Sequence, residues 1–338
     1  MRKSWKQWAS IAAIGLVLTA CGAKEGPETP ATPEADNGAK EIVQYKIGAT
    51  QFVEHPSLDS AYEGFQKAIE DAGLNAEYTF QSAQNDQNNT SAIANNFVAD
   101  QVDLIFANST PSALGALQAT SDIPILFTSV TDPVTAGLVT AMDKPGENIT
   151  GVVDLHPDSI KMTMDFIDEF FPESRVGLIY NAGEANSVAQ IEAVEAAAEA
   201  TSLSIVTRTV GSSAEVQQAA SSLVGDIDVF FIVTDNIVVS ALESVVGVAN
   251  DHDIPLVVGE PDSIARGGFA TFGIDYFTIG YRTGEMAAEI LTGGKTTADI
   301  PVEYPGDMKL IINKEAAEAQ GVEWNSEWDE IAELYTAE

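Results

Sequence analysis

The residue with the clearest chemistry in this sequence is its single cysteine, Cys21. It ends the tetrapeptide Leu18-Thr19-Ala20-Cys21, behind a short basic N-terminus and the apolar stretch 10–20. This order is typical of a secretory signal, and the stretch is too short to span a bilayer as a permanent helix. The tetrapeptide has the form of a bacterial lipobox, in which the thiol takes a diacylglycerol. We expect residues 1–20 to be a lipoprotein signal peptide and Cys21 to carry the membrane anchor. The alternative is an ordinary signal peptide with a cysteine nearby.

Side chains arranged for catalysis are hard to find. The sequence contains no G-x-S-x-G, P-loop or H-E-x-x-H motif. Gly293-Gly294-Lys295-Thr296 resembles the end of a P-loop but lacks the upstream glycine at the required spacing. The adjacent pair Glu54 and His55 could act as acid and base, but adjacent residues at a helix start more often cap and pack. The three histidines are scattered, which argues against a histidine metal site. We therefore expect a protein that is not an enzyme and that needs no cofactor or metal.

The charge of the chain limits its partners. It has 51 acidic residues against 16 Lys and Arg, a formal net charge of −35. Binding of nucleic acid or anionic lipid depends on Lys and Arg, so this balance excludes nucleic acid as a partner. The acidic residues are spread along the whole chain. This distribution favours an acidic surface that keeps the protein soluble in a salty or alkaline medium over the recruitment of a cationic ligand.

Residues 21–41 have the composition of a flexible tether. They contain three prolines, small residues and acids, and almost nothing that could enter a core. The folded part therefore begins near Ile42. Its length of about 300 residues suits two domains better than one.

The folded part alternates between short apolar runs and segments with helical periodicity. Strands that are buried on both faces have this apolar pattern, and strands that alternate with helices indicate a parallel sheet covered on both sides. The predicted strands are 46–49, 103–107, 124–127, 175–180, 229–233 and 255–258. The predicted helices are 58–72, 87–99, 187–200, 214–224 and 238–250, with a further helix starting at Pro111.

The pattern also repeats. The order Asp103-Leu-Ile-Phe-Ala, Ser112-Ala-Leu, Asp122-Ile-Pro returns as Asp228-Val-Phe-Phe-Ile, Ser240-Ala-Leu, Asp253-Ile-Pro. Chance similarity between βα units is the alternative. In either case the sequence predicts an α/β protein with two doubly wound Rossmann-like lobes.

In open parallel sheets the ligand lies beyond the carboxyl ends of the strands. Eight loops qualify, and they are rich in Asn, Ser, Thr, Asp and Glu. Polar loop residues are also common for turn reasons alone, so the concentration at one edge is a stronger signal than any single residue. The loops are 51–57, 82–86, 108–112 and 128–133 in the first lobe, then 181–187, 211–213, 234–237 and 259–263 in the second.

Five blocks of the sequence form a recognisable set. The blocks are Gln51-Phe-Val-Glu-His-Pro-Ser-Leu-Asp59, Val130-Thr-Asp-Pro-Val-Thr-Ala-Gly-Leu-Val139, Asn148-Ile-Thr-Gly-Val152, Tyr180-Asn-Ala-Gly-Glu-Ala-Asn-Ser187 and Thr234-Asp-Asn236. They resemble one family of ABC transporter substrate-binding proteins, which includes the tryptophan/tyrosine transporter binding proteins. The resemblance covers about residues 44–322, with the blocks in the expected order.

The resemblance implies a type I periplasmic-binding fold. In this fold three crossovers join the lobes and form a hinge, and the lobes close around the ligand. The crossovers are expected at 151–154, 272–275 and 297–301. The first lobe would then comprise residues 42–151 and 273–297, and the second residues 152–272 and 298–338. The family also implies an ABC permease with its ATPase as partner.

The family further implies an amino acid, often aromatic, as ligand. Its carboxylate is expected at helix N-termini and hydroxyls, for which 109–112 and 186–187 are candidates. Its ammonium is expected at Asp235, with Glu184 and Glu260 as rivals. Phe52, Phe127 and Tyr180 could face an aromatic side chain, although Phe127 fits the core better. The full set of candidate ligand-binding residues is Gln51, Glu54, Ser109, Thr110, Ser112, Thr131, Asp132, Tyr180, Glu184, Asn186, Ser187, Asp235, Asn236 and Glu260.

Three alternatives have the same sequence features. A surface receptor could present its closed lobes to a sensor protein, and a lipoprotein of related fold could bind nucleosides or sugars. A hydrolase of the same overall fold is the third alternative.

Overall fold

The structure is a computed structural model that describes residues 43–306 and 308–336. The predicted signal peptide, Cys21 and the predicted tether lie outside the described residues. In chain order the elements are β1 (Gln44–Gln51), α1 (Pro56–Asp71), β2 (Asn75–Ser82), α2 (Gln87–Ala99), β3 (Leu104–Asn108), α3 (Thr110–Ala119), β4 (Ile125–Val130), β5 (Ile149–Val153), α4 (Ser159–Phe170), β6 (Arg175–Tyr180), α5 (Ala185–Ala198), β7 (Ser204–Thr209), α6 (Val216–Leu223), β8 (Val229–Ile232), α7 (Asn236–Ser240), α8 (Leu242–Asp251), β9 (Leu256–Val258), α9 (Asp262–Ala265), β10 (Ala270–Gly273), α10 (Tyr276–Leu291), β11 (Lys309–Asn313), α11 (Lys314–Ala319), α12 (Trp328–Ile331) and β12 (Glu333–Tyr335).

The first lobe is built on a parallel sheet with strand order β2-β1-β3-β4-β5. Alternate residues of its central strand enter different cores, because successive side chains of a strand point to opposite faces. Leu104 and Phe106 pack in the core that contains residues of α1 and α10. Ile105 and Ala107 pack in the core that contains residues of α2 and α3. Both faces of the sheet are therefore covered by helices, which explains the continuous apolar run of β3.

The second lobe repeats this topology. Its sheet has the order β12-β11-β10-β9-β8-β6-β7, so that β7-β6-β8-β9-β10 corresponds to β2-β1-β3-β4-β5. Strand β11 is antiparallel to β10, and the other paired strands of this sheet are parallel. The predicted α/β class with two doubly wound lobes is confirmed, and the sequence repeat corresponds to a repeated strand order.

The chain crosses between the lobes three times. It leaves the first sheet after Val153 and the second sheet after Gly273. The third crossover was expected at 297–301, but the structure places it later. Thr297 Oγ1 donates to the Glu147 carbonyl at 2.6 Å, and Thr150 Oγ1 donates to the Ile300 carbonyl at 2.6 Å. Glu303 also pairs with Val152 of β5.

These bonds hold residues 297–303 against the first lobe, so the boundary predicted at 297/298 was wrong. The chain crosses to the second lobe between Glu303 and the start of β11.

Helices α1 and α10 pack in backbone contact on the first lobe. A Cβ atom at Gly280 would lie 1.9 Å from the Ala61 carbonyl oxygen, and one at Gly64 would lie 2.1 Å from the Phe277 carbonyl oxygen. Only glycine allows this approach. The contact fixes the starts of both helices relative to each other, and both starts contribute to the cavity described next.

Candidate functional site

A narrow cavity lies between the two lobes at the carboxyl ends of their strands. Its free space is about that of one water molecule, so the side chains around it must move apart to admit a larger ligand. The first lobe and the crossovers contribute His55, Leu58, Ser129, Asp154 and Tyr276, and the second lobe contributes Asn186, Thr234, Asn236, Val239 and Glu260. This is the position at which open parallel sheets bind ligands.

Three strand ends of the first lobe have strained backbones, and one of the strained residues, Ser129, lines the cavity. Gln84, Asn85 and Ser129 have φ angles of 54°, 63° and 55°, and Ser109 has a φ of 109°. These four residues follow or end β2, β3 and β4. Non-glycine residues at positive φ cost of order 1–3 kcal/mol and concentrate at functional sites. The strain therefore falls on the strand ends that face the second lobe.

Polar atoms without partners also concentrate at these strand ends. A buried polar group without a partner costs about 1–3 kcal/mol and indicates a ligand or an ordered water. Four such atoms belong to cavity residues: His55 Nδ1, Ser129 Oγ, Asn186 Oδ1 and Thr234 Oγ1. Four more lie at neighbouring strand ends, on Asn85, Asn108, Thr110 and Thr128.

Two carboxyl groups line the cavity, and no Lys or Arg does so among the described residues. Burial raises the pKa of Asp154 to about 6, although the Tyr276 hydroxyl donates to it at 2.9 Å. Burial, followed by the charge of Asp262, raises the pKa of Glu260. Both groups are therefore buried acids without a cationic partner, and a ligand ammonium would supply one.

Glu260 also joins the two lobes. Ser57 Oγ, at the start of α1, donates to Glu260 Oε2 at 2.6 Å, and both residues are buried. Ser263 adds hydrogen bonds from its hydroxyl and its amide to the same carboxylate. A second bond between the lobes runs from Gln87 Nε2 to the Gly183 carbonyl at 2.7 Å. The lobes are thus held together by direct contacts on two sides of the cleft.

Asp235, the first candidate for the ammonium, has a structural role instead. Its Oδ1 accepts from the Val238 amide, which caps α7, and its Oδ2 accepts from the Asn181 amide and the Ser187 hydroxyl. Asp235 is fully buried and does not line the cavity. The structure thus contradicts the role expected for Asp235, because its side chain lies outside the cavity lining, where it caps α7.

Glu184 lies behind the cavity rather than in its lining. Its Oε2 accepts from Asn236 Nδ2 at 2.5 Å and from Asn186 Nδ2 at 3.3 Å. Burial, followed by the charge of Asp235, raises its pKa to about 7. Glu184 therefore orients two amides that do line the cavity, and of the three carboxylates considered for the ammonium only Glu260 lines it.

The remaining predicted residues are distributed around the cleft. Gln51 is buried and bonded to Asp59 and Asn108, and Glu54 is exposed. Ser109 caps α3 by accepting from the Ser112 amide, while Thr110 lines a second cavity beside Gln87 and Gly183.

Four further predicted residues lie near the crossovers or in the second lobe. Thr131 and Asp132 line a groove beside the first and third crossovers, and Thr131 bonds to Asp154. Ser187 bonds to Asp235, and Tyr180 packs partly buried against the second-lobe core.

The aromatic candidates Phe52 and Phe127 are buried in the core. The cavity residues absent from the predicted set are His55, Leu58, Ser129, Asp154, Thr234, Val239 and Tyr276. The expected loops include His55, Ser129 and Thr234, and the predicted first crossover includes Asp154. Tyr276 directly follows the predicted second crossover and begins α10, which returns to the first lobe.

Among residues 43–306 and 308–336, no cluster of His, Cys, Asp and Glu could hold a metal ion. In the same residues no helix is long and apolar enough to cross a membrane.

Two similar lobes, three crossovers and a cavity between strand ends define the class of two-lobed solute-binding proteins, and comparison with known sequences gives the family. Residues 46–333 match the family described as ABC transporter substrate binding protein. The chain therefore belongs to this family, whose members are extracytoplasmic binding proteins and not enzymes. They bind small molecules and work with ABC permeases.

Two relatives have informative descriptions. The chain is 43% identical over 308 residues to the tyrosine-binding protein of Clostridioides difficile (strain R20291). The matched region covers 90% of this chain and 88% of that protein. It is also similar to the crystal structure of an ABC domain in complex with L-Trp from Streptococcus pneumonia. That likeness has a TM-score of 0.81 and 31% identity, and covers 86% of this chain and 99% of the other. These neighbours confirm the type I periplasmic-binding fold.

A third structure helps to describe the arrangement of the lobes. This is the ligand-free, open structure of a substrate binding protein with adhesive properties from Clostridium difficile. Its sequence is 41% identical to this chain, and the match covers 87% of this chain and 100% of the other. The TM-score between the two structures is nevertheless only 0.64. The described chain is thus closer to the more distant, L-Trp-bound relative. This agrees with the direct bonds between its lobes.

Proposed function

We propose that this protein is the lipid-anchored, solute-binding subunit of an ABC importer and that it captures an aromatic amino acid by closing its lobes. The observation that carries the proposal is the cavity itself. It has buried carboxyl groups without a cation, hydroxyl and amide groups without partners, and apolar side chains from both lobes. The tyrosine-binding relative and the L-Trp-bound structure support the aromatic amino acid as ligand class.

The lining suggests a role for each part of the ligand. The ammonium is placed at Glu260 and Asp154, which need a cationic partner. The carboxylate is placed at the hydroxyls of Ser129 and Thr234, which are free to donate. The side chain is placed between Leu58 of the first lobe and Val239 of the second. Because these groups come from both lobes, the full set of contacts exists only when the lobes are closed.

The ligand class is tested with the mature domain. Mass spectrometry of the small molecules that co-purify is followed by calorimetric titration of tyrosine, tryptophan, phenylalanine, a nucleoside panel and a sugar panel. Binding of at least one aromatic amino acid, recovered unchanged after long incubation, supports the proposal. Binding of a nucleoside or a sugar in their place overturns the ligand class, and conversion of the ligand overturns the binding role.

The anchor and the import role need separate tests. Metabolic labelling with a radioactive fatty acid should mark the full-length protein and leave the Cys21→Ser variant unlabelled, and equal labelling would contradict the anchor. Deletion of the gene should abolish high-affinity uptake of the ligand. Intact uptake with a lost response to the ligand would instead identify a signalling receptor.

A further inference from the structure

His55 has no role in the ligand placement above, although it lines the cavity. It lies at the N-cap of α1, but its side chain makes no capping bond. It is 8% exposed, and its Nδ1 has no hydrogen-bond partner among the described residues. Burial, followed by the charge of Arg266, lowers its pKa to about 3. The imidazole is therefore neutral under ordinary conditions, and one of its two ring nitrogens is an acceptor.

Its neighbours determine which nitrogen that is. Nδ1 is the ring nitrogen that is buried without a partner, and Asn236 lies beside the ring, where it raises the pKa of His55 as an acceptor of a ring N–H does. Asn236 Nδ2 donates to Glu184 Oε2 at 2.5 Å, which turns the amide oxygen of Asn236 towards other donors. We assign the tautomer protonated at Nε2, with this amide oxygen as its acceptor. Nδ1 then has only a lone pair to offer.

We infer that His55 Nδ1 is a specificity-determining acceptor for a hydrogen-bond donor on the ligand's side chain, a phenol hydroxyl or an indole N–H. The inference rests on the proposed function and goes beyond it, because it separates tyrosine and tryptophan from phenylalanine. His55 and Leu58 are three residues apart at the start of α1, and Asn236 and Val239 have the same spacing on α7. Residues at this spacing share one helix face, and the apolar pair Leu58 and Val239 lines the same cavity as His55 and Asn236.

The donor on the side chain is favoured over the ligand's ammonium by charge. Asp154 and Glu260 line the same cavity and attract a cation far more strongly than a neutral imidazole does. A phenol hydroxyl or an indole N–H is neutral and matches a neutral acceptor. A site with a buried acceptor also rejects the analogue without the donor, because the acceptor then stays unpaired.

The first test measures affinities of tyrosine, tryptophan and phenylalanine for the wild type, His55→Leu, and His252→Gln as a matched control on the exposed C-cap of α8. The wild type and the control should bind tyrosine at least about tenfold more tightly than phenylalanine. In His55→Leu the preference should fall below about threefold, with the affinity for phenylalanine retained. An unchanged preference overturns the inference, and so does an equal loss for all three ligands, which would place His55 at the shared ammonium. If the wild type binds none of the three, the proposed function itself has failed.

The second test needs no substitution in the cavity. The side-chain nitrogens of the histidines are followed by ¹⁵N NMR, with His252→Gln assisting the assignment. The His55 signals should show a neutral ring protonated at Nε2 at pH 6–8. Addition of tyrosine should move the Nδ1 signal in the direction of an accepted hydrogen bond, whereas phenylalanine should leave its hydrogen-bonding state unchanged. A ring protonated at Nδ1, or equal shifts with both ligands, overturns the inference.

Discussion

The bond between Ser57 and Glu260 offers the sharpest test of lobe closure. It joins the start of α1 in the first lobe to the loop after β9 in the second, and both side chains are buried. In an open protein the two groups would be hydrated, so the bond contributes only to the closed form. A hydrogen bond to a charged group is worth about 1.5–3 kcal/mol. Each 1.4 kcal/mol changes an affinity about tenfold.

Ser57→Ala removes the bond without adding bulk. The dissociation constant for the ligand should rise about 10- to 100-fold, mainly through faster release, because weaker closure shortens the lifetime of the complex. Titration calorimetry gives the affinity, and stopped-flow fluorescence gives the release rate. Ser60→Ala, on the same helix but partly exposed and outside the cavity lining, is the matched control. A Ser57→Ala protein with affinity and release rate within twofold of the control would refute this role for the bond.

Three further outcomes follow from contacts away from this bond. Asp235→Asn should lower the free energy of unfolding in urea by about 1–3 kcal/mol, because an amide cannot accept from all three donors that hold Asp235; a lost affinity with unchanged stability would instead restore Asp235 as the ammonium site. Gly280→Ala should destabilise the fold by about 1–3 kcal/mol or more, since its Cβ would meet the Ala61 carbonyl oxygen at 1.9 Å. The matched control is Gly247→Ala, at an exposed helix position with open space around it, and it should be neutral or stabilising. Equal losses of stability in the Gly280→Ala and Gly247→Ala variants would contradict the close contact between α1 and α10. The third outcome is a pH dependence: Glu184 has a pKa raised from 4.5 to about 7, so the folded protein binds its proton more tightly than the unfolded chain does. This contribution to stability is present below pH 4.5 and is lost as the pH rises through about 7. Glu184→Gln should therefore reduce the slope of the free energy of unfolding against pH between about pH 5 and 7. An unchanged slope would contradict this expectation.

The fold could be predicted where burial made the sequence regular. Strands β3, β4 and β8 are buried along their length and begin with unbroken apolar runs, because helices cover both faces of their sheets. The edge strands β2 and β7 are half exposed and polar, and they gave no apolar run. Strand β5 is fully buried but contains Thr150. That hydroxyl is satisfied by the carbonyl of Ile300, far away in the chain, so neither β5 nor the third crossover could be located from local patterns.

The candidate site was predictable as a set of loops but not as a set of contacts. The loops after β8 and β9 were both expected to supply acids, and the sequence could not rank Asp235 against Glu260. An aspartate directly before a helix is a common N-cap, and this is the role that the structure gives to Asp235. Glu260 reaches the cavity because Ser57 of the other lobe meets it there. Likewise, the tautomer assigned to His55 depends on an amide and a carboxylate of the second lobe. Such relations between the lobes have no local signature.

The cavity between the closed lobes is proposed to hold an aromatic amino acid as a zwitterion. Titration calorimetry of the mature domain with tyrosine, and with its analogue tyramine, which lacks the carboxylate, tests this proposal most directly. We expect saturable one-to-one binding of tyrosine, and clearly weaker binding of tyramine because the hydroxyls of Ser129 and Thr234 would lose their partner. Absence of binding by tyrosine, tryptophan and phenylalanine, together with saturable binding of a nucleoside or a sugar, would contradict it.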